Sequence, residues 1–238
     1  MTAAEFWGHF SGSPLFWLVL TLLLWLAANA ASIACRRHPL VNPVLLTIAG
    51  LVAILILTGT SYATFMTGAH YIHFLLGPAT VALAIPLVRQ WPAVKSAILP
   101  IVAALAIGSV TAAGSVILLG KLAGLSPDII TALAPKSTTT AVAVAISTSL
   151  GGNAALTAVC AIITGILGAI IVTPFMNAMK ITDFAARGFA VGLASHGIGT
   201  ARAYAVNATA GLFAGIAMAL NAIVTAILVP LLIRLLLH

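Results

Sequence analysis

Apolar residues run in long unbroken blocks along this chain, and polar residues collect between the blocks. Runs of this kind, continuous rather than alternating, predict helices that cross a membrane. Residues 14–34, 40–58, 72–88 and 97–119 predict four spans in the first half, with Trp17 and Trp25 as interface anchors on the first. Residues 59–71 read as a loop, and Gly77-Pro78 and Pro86 interrupt the third span. Residues 121–134 predict a surface segment whose short helix starts at Ser126-Pro127-Asp128.

The second half is less regular. Within residues 135–153 only 141–146 are continuously apolar, too short a run to cross roughly 30 Å of hydrocarbon as a helix. Residues 154–178 predict a span, 180–187 a charged loop, 189–206 a broken apolar segment, and 210–237 the last span. The expected fold is an all-α polytopic membrane protein. It has about seven transmembrane helices plus a re-entrant half-helix within residues 138–150, in a single integral membrane domain over residues 1–238. The first four spans fill 12–119, and 121–238 carries two interrupted helical segments. The positive-inside rule places the N-terminus outside and Arg36, Arg37, Arg89 and Lys95 in the cytoplasm. Lys180, Arg187 and Arg234 join them if residues 138–150 re-enter.

Composition strengthens this picture. Of 238 residues, 62% are hydrophobic and 5% charged, and the mean hydropathy is +1.22. Soluble domains carry about a quarter charged residues, so the solvent here is lipid. Lipid excludes exposed irregular backbone. The net charge of +7 comes from basic residues scattered over short loops, which leaves no room for a nucleic-acid patch. Cys35 and Cys160 have no metal or redox spacing. The first 14 residues lack the basic region of a cleavable leader, so the first span is expected to be retained. His196 has no second ligand at metal spacing, and adjacent Ser195 and His196 make poor triad geometry. No enzyme, metal or cofactor is expected.

The candidate chemistry lies in the two broken segments. In residues 135–140, Pro135 disfavours a helical Ala134, and Ser137 or Thr138 is placed to cap a new helix. Lys136 then sits beside an end that already carries about half a positive charge. In residues 193–203, Gly197 and Gly199 permit special backbone geometry. One helix ends near Ala194 and another begins near Thr200, with Arg202 in its first turn. From residue 129 to 237 there is one acid, Asp183, in a loop. Intramembrane cations usually pair or line a wet path, so the missing partner is expected to be an anionic substrate. It would meet Lys136, Ser137, Thr138, Thr139, Thr140, His196, Gly197, Gly199, Thr200 and Arg202 at the electropositive helix starts. Against this stand snorkelling of Lys136 or Arg202, a packing role for the threonines, and helix-to-helix hydrogen bonding by His196. The two stretches also align with one another: residues 133–141 and 193–201 both begin Leu-Ala and end Thr-Ala, and residues 77–82 form a looser third copy. An internal repeat of this kind is common in secondary transporters.

PKSTTT at 135–140, TGILGA at 164–169, ARGFAVGLASHGIGTARA at 186–203 and GPATVALAIPL at 77–87 together resemble the LrgB/CidB family, over residues 12–237. The resemblance implies a bacterial cytoplasmic (inner) membrane location. It also implies one of two roles. Some members are plastidial glycolate/glycerate translocators or are linked to pyruvate. Others are antiholin-like modulators of murein hydrolase activity and autolysis, acting beside a small LrgA/CidA-type membrane protein. The family pattern PKSVTTP, followed by acids, is altered here: Thr138 and Ala141 replace Val and Pro, and Ala145 and Thr148 stand where acids are common. Carboxylate-based proton coupling is therefore not expected, and His196 is left as the intramembrane proton carrier. The main expectation is a carrier of small carboxylates (glycolate, glycerate, pyruvate or lactate), with the antiholin-like modulator as the alternative. Small-residue helices further suggest a homo-oligomer.

Overall fold

The structure, a computed structural model, describes residues 8, 10, 12–38, 40–82, 85, 88 and 91–237. Among these, every regular element is a helix. In chain order they are α1 (Pro14–Ala34), α2 (Pro43–Thr58), α3 (Tyr62–Ala82), α4 (Trp91–Ser96), α5 (Ile98–Leu122), α6 (Pro127–Leu133), α7 (Thr140–Ser149), α8 (Ala154–Ala178), α9 (Phe184–Val206) and α10 (Ala208–Leu237). Of these, α1, α5, α8 and α10 are long and apolar enough to cross a membrane. The protein is thus an all-α polytopic membrane protein. The chain divides into two compact units, Met1–Ile85 and Pro86–His238.

In the first unit, Asn42 starts α2 by accepting from Val44 N at 2.8 Å, and Pro43 needs no donor there. Gly59, with φ +64°, ends the same helix. The expected loop over 59–71 is confined to residues 59–61, because α3 begins at Tyr62 and runs on through Pro78. Trp17 is fully buried rather than an interface anchor. Its ring packs edge-on against Phe65, centroids 5.9 Å apart, and its Cβ lies against the bare backbone of Gly68. Arg89 and Pro86, singled out in the sequence, lie outside the described residues.

The second unit is framed by α5 and α10, which run parallel. Ile101 and Leu105 early in α5 share a core with Leu212, Phe213 and Ala217 early in α10. Ala113 and Ile117 share another with Val229 and Ile233. At the far end Lys121 Nζ donates to Leu236 O at 2.6 Å. We call the Lys121 end the first face and the opposite end the second.

Both broken segments fold back on themselves. After α5 the chain enters from the first face as α6, turns through residues 134–139, and returns as α7. Gly152, just past α7, lies against Ala132 N and Thr131 in α6. The expected surface segment over 121–134 holds for residues 121–128, which are exposed, but Ile130, Thr131, Ala132 and Ala134 are buried, because they form the inward arm of a hairpin. The helix α8 then crosses to the second face, where the Arg187 guanidinium donates to Asn177 Oδ1.

The expected seventh span is absent from this unit, because α9 is the second hairpin. Ser195 and His196 leave helical geometry, His196 at φ 41°. A methyl group on Gly199 would lie 2.8 Å from Val191 O, whereas eight residues of straight helix would separate them by about 12 Å. Phe184 and Val206, the two ends of α9, line one cleft. This hairpin enters from the second face. Arg187 and Arg234 consequently sit at opposite ends of the unit, contrary to the expectation that they share a side.

The two tips meet at Asn221, near the middle of α10 and fully buried. Its Nδ2 donates to Ser137 O at 3.3 Å on the first hairpin and to Leu193 O at 3.1 Å on the second. Its Oδ1 accepts from Ser109 Oγ on α5 at 2.8 Å and from Thr225 Oγ1 at 3.1 Å. The amide can make four hydrogen bonds and makes all four.

The two glycines of the second tip differ in their surroundings. At Gly199 a methyl would clash with Val191 O, while at Gly197 its nearest neighbour would be Met218 Sδ at 3.8 Å. Gly199→Ala should therefore destabilise the purified protein by roughly 1–3 kcal/mol, and Gly197→Ala by less than about 0.5 kcal/mol. Detergent-solubilised thermal melts of the pair check this; equal melting temperatures would refute the fold-back.

Candidate functional site

The first tip is a tight turn. Lys136 N donates to Leu133 O at 3.1 Å and Thr138 N to Pro135 O at 3.1 Å. Pro135, lacking an N–H, is fully buried here at no hydrogen-bonding cost. The new helix starts later than expected: Thr139, not Ser137 or Thr138, is the N-cap of α7, and its side chain makes no capping bond. The first amides of α7 thus have no side-chain acceptor. Beside them Thr138 is 1% exposed, and its Oγ1 has no hydrogen-bond partner. A buried hydroxyl without a partner costs on the order of 1–3 kcal/mol. Ser137 is buried, while Lys136, Thr139 and Thr140 are partly exposed around the turn.

The second tip commits its residues to packing. His196 Nε2 lies 2.9 Å from Ala161 O, a carbonyl that can only accept, so Nε2 carries a hydrogen and donates it. The imidazole lies against Gly165, whose missing side chain leaves space for it. Thr200 Oγ1 donates to His196 O at 2.8 Å. The left-handed backbone falls on His196, not on Gly197 or Gly199. Gly199 is needed instead for close approach to Val191. The helix resumes directly after His196, so Arg202 is six residues past the break rather than in the first turn.

That displacement moves Arg202 toward the second face. It lines a small cleft with Arg187, Phe184, Thr173 and Val206. The Arg187 guanidinium also stacks 5.9 Å over the Phe184 ring. The fold therefore brings Ser137, Thr138, Asn221 and the Leu193 carbonyl together at the tips. It separates Arg202 from them along the hairpin arm. Among the described residues no group of three His, Cys, Asp or Glu is arranged for a metal ion.

Asn221, Ser109 and Thr225 were not singled out in the sequence. The available signal was three polar residues in runs that are otherwise apolar. Nothing local distinguishes such a residue from one bonded within its own helix, as Thr47 Oγ1 is to Pro43 O.

The LrgB-like family model matches residues 21–235. The chain is 35% identical over 218 residues to the uncharacterized protein YwbG of Bacillus subtilis, covering 91% of this chain and 96% of that protein. It is 32% identical over 221 residues to the holin-like protein CidB of Staphylococcus aureus, covering 93% and 96%. The same identity extends over 218 residues of the holin-like protein CidB of Staphylococcus epidermidis, covering 92% and 95%. No solved structure matches the chain. Matched almost end to end with these bacterial proteins, the chain belongs to the LrgB-like family and is a multi-pass protein of the bacterial cytoplasmic membrane.

Proposed function

We propose that the protein is a holin-like modulator of membrane permeability and, through it, of murein hydrolase activity, acting beside a small LrgA/CidA-type membrane protein. The observation that carries this is the match over 93% of the chain to a relative described as holin-like. The membrane topology in this reading is six spans (α1, α2, α3, α5, α8 and α10) with two re-entrant hairpins. The second face, with Lys95, Lys180 and Arg187, is cytoplasmic by the positive-inside rule. Expression with the small partner in a lysis-sensitive host should change the autolysis rate several-fold, and the two proteins should co-purify in mild detergent. Unchanged autolysis together with no co-purification would refute this role.

A second reading is favoured by a specific observation, the buried and unpartnered Thr138 hydroxyl at the uncapped start of α7. In it the protein carries a small carboxylate such as glycolate, glycerate, pyruvate or lactate. The carboxylate oxygens accept from Thr138 and from the first amides of α7, and the partly buried Lys136 supplies the counter-charge. Arg202, in the cleft with Arg187, serves the approach from the second face rather than the tip. A hydrogen bond to a charged group contributes about 1.5–3 kcal/mol. Thr138→Val should therefore weaken half-saturation of labelled glycolate or pyruvate uptake in vesicles roughly tenfold or more. Lys136→Gln should lower uptake at least as far, while both variants still insert. Uptake at the original level in both would remove the carboxylate from this site, and an autolysis effect that survives both changes would favour the modulator alone.

A further inference from the structure

The two hairpins reach the same amide from opposite ends of the unit. The first hairpin's base lies at the first face, beside Lys121 at the end of α5 and Asn153 at the start of α8. The second hairpin's base lies at the other face, where α8 ends at Ala178 and Arg187 meets Asn177. Between them α8 supplies contacts at both levels. Thr157 Oγ1 donates to Ser147 Oγ on the first hairpin at 2.8 Å, and Ala161 O meets His196 on the second. Each tip is hydrogen-bonded to Asn221 of α10 through one backbone carbonyl, and both carbonyls share its Nδ2; the second tip also packs against Met218 of the same helix.

We infer that the hairpins are two opposed gates on one site, and that Asn221 is their shared latch. Loss of the Ser137 O bond lets the first tip withdraw and opens the site to the first face. Loss of the Leu193 O bond opens it to the second. The Nδ2 protons are separate, so one bond can break while the other holds. The bonds from Ser109 and Thr225 to Oδ1 keep the amide oriented throughout. Asn221 is a positioning residue in this scheme: its two donors face backbone carbonyls, and its acceptor faces two hydroxyls. The gate assignment deepens the carboxylate reading, on which it rests for the identity of the cargo. The opposed geometry of the gates stands on the hairpins alone.

The test uses full-length protein in vesicles of either orientation, with Cys35 and Cys160 replaced by alanine. Thr138→Cys and Ser195→Cys, each at a position 1% exposed, report the two tips separately through a membrane-impermeant maleimide. The cysteine at 138 should be labelled only from the face bearing Lys121, and the cysteine at 195 only from the face bearing Lys180. Asn221→Asp keeps the acceptor oxygen and removes at least one of the two donors, and should raise at least one labelling rate at least tenfold without changing its face. Asn221→Gln, which displaces the donors by one methylene, serves as a second variant if the aspartate fails to insert. Labelling of both cysteines from one face, or rates unaffected by either variant, would overturn the gates. Saturating glycolate or pyruvate should slow labelling of the cysteine at 195, in the variant that keeps Thr138 intact. Face-specific labelling with no such protection would uphold the gates and discard the carboxylate.

Discussion

The second unit depends on one side chain that closes a hydrogen-bonding problem set by lipid. A hairpin tip in a membrane exposes the carbonyls that end one helix and the amides that begin the next. No water is there to receive them. Asn221 donates to one carbonyl from each tip while its oxygen is held by α5 and by its own helix. An apolar residue at this position would leave two buried carbonyls without a partner, each a loss on the order of 1–3 kcal/mol. It would also leave nothing to set the two tips against one another. Leu212, Phe213, Ala217 and Leu193 on one level and Val229, Ile233 and Ile130 on the other pack around this junction. That packing is non-directional, and would tolerate a slip of the tips that the four bonds do not.

The satisfied carbonyls also settle the electrostatics of the tips. Each tip joins the negative end of an inward arm to the positive end of an outward arm, so the two dipoles partly offset one another. The Asn221 donors are spent on the negative ends. The positive end of α7 is left with an uncapped N-cap residue and an idle hydroxyl at Thr138. The balance at the first tip therefore tilts toward anions even before Lys136 is counted. The second tip is less open, since its His196 and Thr200 bond to Ala161 O and to the tip backbone. The two broken segments, alike in sequence, thus differ in what they leave free.

How much of this was legible from the sequence depends on which physical rule governs each element. Residues 14–34 and 154–178 follow directly from continuous apolar runs, and the observed helices keep those bounds. The position of the second break was legible from the concentration of Ser195, His196, Gly197 and Gly199. Its consequence was not. A fold-back and a straight span bury the same apolar composition, so the segment 189–206 counted as a span by length alone. The glycines misled as well, because the left-handed turn residue is His196, held there by Ala161 O and by the space above Gly165. Trp17 was misplaced for a similar reason. An aromatic near a span end suits the interface, and only the gap at Gly68 on another helix makes it a core residue.

Arg202 shows how a helix boundary decides chemistry. Two features of residues 193–203 argued for an anion site there: the arginine and the expected helix start beside it. The start lies at residue 197, which carries the guanidinium down the hairpin arm into the cleft with Arg187. Charge and dipole no longer coincide at the second tip. They do coincide at the first, where Lys136, Thr138 and the start of α7 are within a single turn of chain. In the carboxylate reading proposed above, the two hairpins would divide the work unequally: the first would present the binding groups, and the second, bonded through His196 and Leu193 O, would close over them. The asymmetry has its physical origin in what each tip leaves unbonded: the His196 ring is committed to Ala161 O, whereas the buried Thr138 hydroxyl has no partner.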